Sequence, residues 1–367
     1  MAIKYAQEYR DPEIARMLIR KIHKTSQKPV RLMEVCGTHT MAIFRHGIRQ
    51  VIPPHIELLS GPGCPVCVTT QYDIDSFIAL SDLDNTIIAT FGDLMRVPGT
   101  NSSLQNERAS GKDIRMVYST FDALDLAGKN PDKQIIFLGV GFETTAPTIA
   151  ASILSAQQAK IKNYFVYCTH KLVPPVLFAL MASGEVHIDG FILPGHVSVI
   201  IGRESYRHFF EKYQIPCAIT GFEPVDVLKG IDSLIRQIEF KRPELDNAYP
   251  RAVTAAGNRK AQGIMEQVFE NTDAGWRGMG TIPLSGLKIR EAFERFDARK
   301  VFDIKAAYSA EPPGCACGEI LKGKITPPDC PLYRKVCSPI SPVGPCMVSS
   351  EGTCSAYYRY HNHSEGS

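Results

Sequence analysis

No stretch of this sequence approaches the roughly 18 consecutive apolar residues that a membrane span needs, and its 41 basic against 38 acidic residues leave a formal charge of only +3. The first absence argues against a spanning helix. The second leaves no long-range field to gather nucleic acid or an anionic membrane. Met1 to Arg20 is charged throughout and lacks the apolar centre of a signal peptide, so it is expected to form an amphipathic helix around Ile14, Met17, Leu18 and Ile22 of a soluble, cytoplasmic protein. Familiar catalytic signatures are missing too. Gly139-Val140-Gly141 begins like a dinucleotide fingerprint, but Thr144 stands where the third glycine belongs, and no GxxxxGK followed by Ser or Thr occurs. Without HExxH or GxSxG, metalloprotease and α/β-hydrolase chemistry have no support. No fixed-period repeat or low-complexity tract is evident.

With 367 residues, 44% of them hydrophobic, the chain can build roughly two to three cores. Short β-rich runs alternate with helix-compatible segments: Val30 to Val35, Ile56 to Leu59, Thr86 to Thr90, Met116 to Ser119, Ile135 to Val140, Tyr164 to Tyr167, Gly190 to Leu193 and Cys217 to Ile219. This alternation predicts an α/β fold with mostly parallel strands, arranged as two small Rossmann-like α/β domains facing a cleft. A linker at Gly128-Lys129-Asn130-Pro131 would give an N-terminal helix (1–27), a first α/β domain (28–128), a second (129–255) and a C-terminal helical and irregular domain (256–367). Helical stripes are expected over Pro224 to Phe240 and Asn258 to Phe269, and a loop with a short strand around the sole tryptophan, Trp276, in WRGMGTIPLSG.

What the chain has in quantity is cysteine, 11 in all. In a reducing compartment an odd total points to metal or redox chemistry rather than a disulfide framework. Cys36-Gly37-Thr38-His39 and Gly61-Pro62-Gly63-Cys64-Pro65-Val66-Cys67 each follow an apolar run, so three thiols and an imidazole are expected at one sheet edge. The CxxC suits a redox dithiol or soft ligands for a low-valent metal, and a helix starting just after it would favour the thiolate. A zinc site made by Cys36, His39, Cys64 and Cys67 is the structural alternative. Asp93 in FGDLMRVPG, Glu143 in GFETTAP, His170, and His196 in PGHVS also follow strands, where open α/β sheets bind ligands. Helix capping competes with a cleft role for Glu143 and Asp93. Cys168 and Cys217 lie inside apolar runs and are expected to be core thiols. His187, His208, His361 and His363 look like surface positions.

From Glu311 the composition turns to Cys, Pro and Gly, with Cys315, Cys317, Cys330, Cys337, Cys346 and Cys354 within 40 residues. Loop-borne thiolates at irregular spacing suit an iron-sulfur cluster, with two thiols over as a redox pair; a zinc knuckle and three disulfides are the alternatives. Spacing does not say which four would bind.

MEVCGTHTMAIFRHGI, LLSGPGCPVC, FGDLMRVPG, GFETTAP, PGHVSVIIG and CACGEI…CPLYRKVCSP…VGPCMVSSEGTCSAYY, in this order, resemble the HypD family of nickel-iron hydrogenase maturation proteins. The resemblance implies a scaffold for the Fe(CN)2CO unit, working with a HypC-type chaperone and a HypE-type protein that carries cyanide as a thiocyanate. It puts the iron-site cysteine at Cys36, beside His39, and the CxxC at Cys64 and Cys67. It assigns 4Fe-4S ligands to Cys315, Cys330, Cys337 and Cys354, leaving Cys317 and Cys346 as a redox pair, as in ferredoxin:thioredoxin reductase. A monomer that forms transient complexes is the default expectation. Two other readings remain open from the residues: a cluster-fed thiol-disulfide reductase and a zinc-stabilised interaction protein.

Overall fold

The computed structural model describes residues 7–306 and 310–361. Eleven strands are found among them. β1 (Val30–Glu34), β2 (Ile56–Ser60), β7 (Gly190–Pro194), β8 (Cys217–Thr220) and β9 (Leu245–Asn247) form a sheet in the order β2-β1-β7-β8-β9. β3 (Thr86–Thr90), β4 (Ile114–Met116), β5 (Gln134–Gly139) and β6 (Tyr164–Cys168) form a second, in the order β4-β3-β5-β6. Every pairing in both sheets is parallel. β10 (Phe269–Trp276) and β11 (Gly280–Ile289) make an antiparallel hairpin.

Side-chain alternation explains the layering. Val30 and Leu32 pack with Leu18 and Ile22 of the helix Pro12–Thr25 and with Leu228 and Ile231 of the helix Pro224–Glu239. Met33 and Val35 point the other way, into a core shared with Ile136 and Leu138 of β5 and with Cys317, Cys346 and Met347. Ile135 and Phe137 face outward, against Phe269, Leu287 and Ile289 of the hairpin. Strands apolar on both faces are what a covered parallel sheet requires. One core thus joins the two sheets to the cysteine-rich segment.

The strands do not pair as the linear division supposed. The chain starts the first sheet, leaves it after β2 to build the whole second sheet, and returns at β7; the cut at 128/129 falls between β4 and β5 of one sheet. Strand order in space cannot be read from alternation alone. Trp276 is likewise not in a loop with a short strand but ends an eight-residue strand, its indole N–H donating to Ser285 Oγ at 2.8 Å. The expected helices do form, as Pro12–Thr25, Pro224–Glu239 and Arg259–Val268. His363 lies outside the described residues. Among the described residues no helix is long and apolar enough to cross a membrane.

Candidate functional site

A cavity of about 340 Å³ opens beyond the carboxyl ends of the strands, lined by Cys36, Thr38, Gly63 and Pro65 from one sheet, His196 with its helix, Phe142 and Thr144 from the other sheet, and Glu351. Cys36 caps the helix Gly37–Arg45 in extended conformation, and its N–H donates to the Glu34 carboxylate at 2.9 Å. Thr40 donates to the other oxygen of the same carboxylate. Glu34, 1% exposed, therefore fixes the start of the helix from the strand before it. Burial drives its carboxyl up to about 8 against the opposing hydrogen bond from Thr40. Burial, then the neighbouring Glu351, pushes the Cys36 thiol up to about 12. A soft metal that took this sulfur would have to displace its proton.

The CxxC turn is locked to Cys36 by backbone. Gly63 O accepts the Gly37 N–H at 2.9 Å, and Gly61 N–H donates to Glu34 O at 2.8 Å. A Cβ on Gly63 would stand 2.0 Å from Cys36 N, so only glycine lets the two turns touch. Cys64 and Cys67 are joined in a disulfide at the start of the short helix Pro65–Val68, and both are buried. His39 departs from expectation. It does not line the cavity but is fully buried, its Nε2 within 2.7 Å of Thr220 Oγ1 and 3.0 Å of Gly221 O, with Nδ1 unpartnered. Burial holds its pKa down to about 4. Its helical phase, three residues past Cys36, turns the ring to β8. His196 sits at the cavity wall, and Phe222 lies between the two imidazoles, with ring centroids at 4.6 Å from His39 and 3.9 Å from His196.

Glu143 and Asp93 do not reach the cavity. Glu143 accepts the Val173 N–H at 2.9 Å, satisfying the first turn of the helix Val173–Ser183 rather than starting its own, and its second oxygen is unpartnered. Burial raises its carboxyl to about 7. Asp93 is exposed and accepts from Ser349 Oγ at 3.3 Å and Ser350 Oγ at 3.1 Å, clasping the segment that delivers Glu351. His170 is buried between Thr145 Oγ1 at 3.2 Å and the Cys168 sulfur at 3.4 Å, and burial lowers it to about 3. Cys168 and Cys217 are core thiols, as expected, and His187, His208 and His361 are exposed.

Sequence reasoning missed Glu34, Thr38, Phe142, Thr144 and Glu351 as site residues. Glu34 carried a signal: an acid between Met33 and Val35, inside a strand expected to be buried, needs a partner. Glu351 carried none. Its backbone packs so closely on Gly37 that a Cβ there would stand 2.5 Å from Glu351 Cβ, and its Oε1 accepts from Thr38 Oγ1 at 2.5 Å.

The C-terminal cysteines gather on short helices and turns. A narrow cavity of about 10 Å³ is lined by Cys315, Cys317, Cys330, Cys337 and Cys354 with Ile320, Leu332, Tyr333, Gly344 and Met347. Cys317 is within hydrogen-bonding range of Cys315, Cys346 and Cys354, and Cys346 is fully buried beneath. A Cβ on Gly344 would stand 2.6 Å from the Cys317 sulfur and 2.7 Å from that of Cys315, so glycine keeps the cradle open. Among the described residues no three His, Cys, Asp or Glu side chains are placed to hold a single ion. A four-iron cluster asks instead for one thiolate per iron, and a sulfur-walled cavity fits that donor set.

The chain is similar to a known group along nearly its whole length. The HypD family model, described as "Hydrogenase formation hypA family", matches residues 13–361. Hydrogenase maturation factor HypD2 of Bradyrhizobium diazoefficiens is 44% identical over 98% of this chain and 97% of its own length. Hydrogenase maturation factor HypD of Azotobacter vinelandii is also 44% identical, over the same shares, and that of Cupriavidus necator is 42% identical over 98% and 97%. With the motifs of both sulfur-rich regions inside the matched span, this chain belongs to the HypD family of hydrogenase maturation factors.

Proposed function

We propose that this chain is a scaffold on which Cys36 anchors iron while its cyanide and carbonyl ligands are added, in complex with a HypC-type chaperone and supplied by a HypE-type cyanide donor. The observation that carries this reading is the Cys36 cavity. One soft sulfur faces a space walled by Phe142, Val197 and Pro65, with a carboxylate, an imidazole and two hydroxyls at its edge. Low-valent iron favours thiolate anchorage, and apolar walls shelter its ligands from water. Cys64 and Cys67 follow the turn whose Gly63 carbonyl accepts from the Gly37 N–H, next to Cys36. Iron here is cargo, to be passed on.

Cleaving the S–C bond of a thiocyanate takes two electrons and leaves a thiolate and cyanide. Cys64 and Cys67, once reduced, give up two electrons as they close to the disulfide, so the exchange balances. Cys315, Cys330, Cys337 and Cys354 would hold a 4Fe-4S cluster, whose chemistry is one-electron transfer. Cys317 and Cys346, in mutual contact, would form the dithiol that turns single electrons into pairs. Gly344 and Met347 line the same pocket.

The test is anaerobic co-purification with the HypC-type partner, followed by infrared spectroscopy in the region of metal-bound carbonyl and cyanide stretches. Bands that vanish in Cys36→Ala support the scaffold. A cluster-bearing complex without such bands, from cells able to mature hydrogenase, would favour the second reading, a thiol-disulfide reductase, which the buried Cys64–Cys67 disulfide also suits.

A further inference from the structure

Arg277 lies at the tip of the β10–β11 hairpin and is 1% exposed. A guanidinium stays charged in any protein environment. Here its bonds go only to neutral oxygens: Nε to Thr69 O at 2.9 Å, and Nη1 and Nη2 both to Gln71 Oε1 at 3.3 Å. Among the described residues no carboxylate pairs with it. The neighbouring acid, Glu311, accepts instead from the Gly278 N–H at 2.8 Å. A buried cation without an anion is strongly disfavoured, and breaking a pair down to one member is among the costlier changes a core can suffer. A glutamate at position 71 would be isosteric and would pair with Arg277, yet glutamine stands there.

The place of this charge supplies its meaning. Arg277 N–H donates to Val68 O at 2.9 Å, at the end of the helix that carries Cys67. On the other side Gly278, at φ +71°, packs so tightly on Gly318 that a Cβ would stand 2.1 Å from Gly318 Cα, beside Cys317. The hairpin tip is a wedge between the CxxC helix and the Cys315–Cys317 turn. Gly318 directly follows Cys317, so this backbone contact brings the strand-to-strand turn that carries Arg277 against the Cys315–Cys317 turn.

We propose that Arg277 is an unpaired internal counter-charge, left without a carboxylate so that the anionic sulfur centre at Cys315 can be its partner and so that this centre accepts an electron more readily. Four thiolates around a cluster make an anionic unit, and reduction adds one more negative charge next to a fixed positive one. The inference rests on the cluster reading above, and Arg277 is a positioning residue in it, touching neither iron nor cyanide.

The experiment is a redox titration, followed by electron paramagnetic resonance, of anaerobically reconstituted full-length protein. Arg277→Gln keeps hydrogen-bonding groups and removes the charge; Gln71→Glu keeps Arg277 and neutralises it; Arg277→Lys keeps a charge without the fork. The first two are expected to lower the midpoint potential by the equivalent of about a tenfold change in the reduced-to-oxidised ratio, about 59 mV for one electron. Lys should hold the potential near that of the wild type. Gln71→Glu should also raise the melting temperature of the metal-free protein, and it remains informative if Arg277→Gln does not fold. A Gln71→Glu protein that is more heat-stable but unshifted in potential would make Arg277 a structural brace and overturn the proposal. So would Lys falling as far as Gln. A wild-type protein that takes up no iron and sulfide would instead sink the cluster reading itself, before any variant is compared.

Discussion

Both parallel sheets end their strands in turns lined with buried polar groups, but the groups serve different ends. In the sheet around β1, Glu34 is spent on the Cys36 N–H and Thr40, the turns of β1 and β2 are bonded to each other, and the Cys36 sulfur is left facing the cavity. In the sheet around β5, Glu143 satisfies the helix starting at Val173, and His170 is held between Thr145 and Cys168. That sheet offers the cavity only Phe142 and Thr144. Position at a strand end is thus a consequence of topology, whereas chemistry follows from what remains unspent once backbone groups are satisfied.

The sharpest way to break this contrast is to remove one sulfur from each sheet. Cys36→Ala is expected to abolish the carbonyl and cyanide bands and hydrogenase maturation, whereas Cys168→Ala should keep both at a cost of about 1–2 kcal/mol in stability, read from urea unfolding. If Cys168→Ala removed the bands as completely, the division between the sheets would fail. Next in size is Gly63→Ala. With its Cβ 2.0 Å from Cys36 N, the variant must separate the two turns. A loss on the order of 3 kcal/mol is expected, together with loss of iron retention.

Glu143 sharpens the comparison through pH. Its carboxyl, raised from 4.5 to about 7, holds a proton in the folded state that the unfolded chain releases. Stability should therefore be fullest below about 4.5 and decline as pH rises to about 7, by on the order of 3 kcal/mol. Glu143→Gln, which keeps an acceptor for Val173, should flatten that slope; denaturation curves at several pH values decide, and an unchanged slope would remove Glu143 from the account. The smallest effect is expected at the clasp: Asp93→Asn weakens its bonds to Ser349 and Ser350 by about 1 kcal/mol. Limited proteolysis near Glu351 should quicken while the β5 sheet stays intact.

Much of this arrangement was legible in the sequence, for reasons that differ by region. Seven of the eight strands announced by apolar runs appear in place, whereas the run expected at Met116 to Ser119 shares only Met116 with β4, Ile114–Met116. β9 was not visible, and of the hairpin only a short strand near Trp276 was expected. Leu245-Asp246-Asn247 has no alternation, and FENTDAGW is half-exposed, Gly-bearing and broken by a register shift between Thr272 and Ala274. Cys36 and His196 stood out because unusual residues punctuate strand ends, and both line the cavity. His39 was misplaced because motif proximity does not give helical phase. Glu351 was hidden because the contact that makes it a wall residue spans more than 300 positions of the chain, from Thr38. No local pattern encodes such a pairing.

The excursion of the chain between β2 and β7 bears on synthesis. β1 lies inside its sheet, yet its neighbour β7, the central strand, emerges only with residues 190–194, and the wall residue Glu351 later still. Since chains grow from the N-terminus and domains fold as they complete, Cys36 leaves the ribosome long before its surroundings exist. A nascent chain therefore presents this thiol without its pocket, and the finished pocket has to await the synthesis of Glu351.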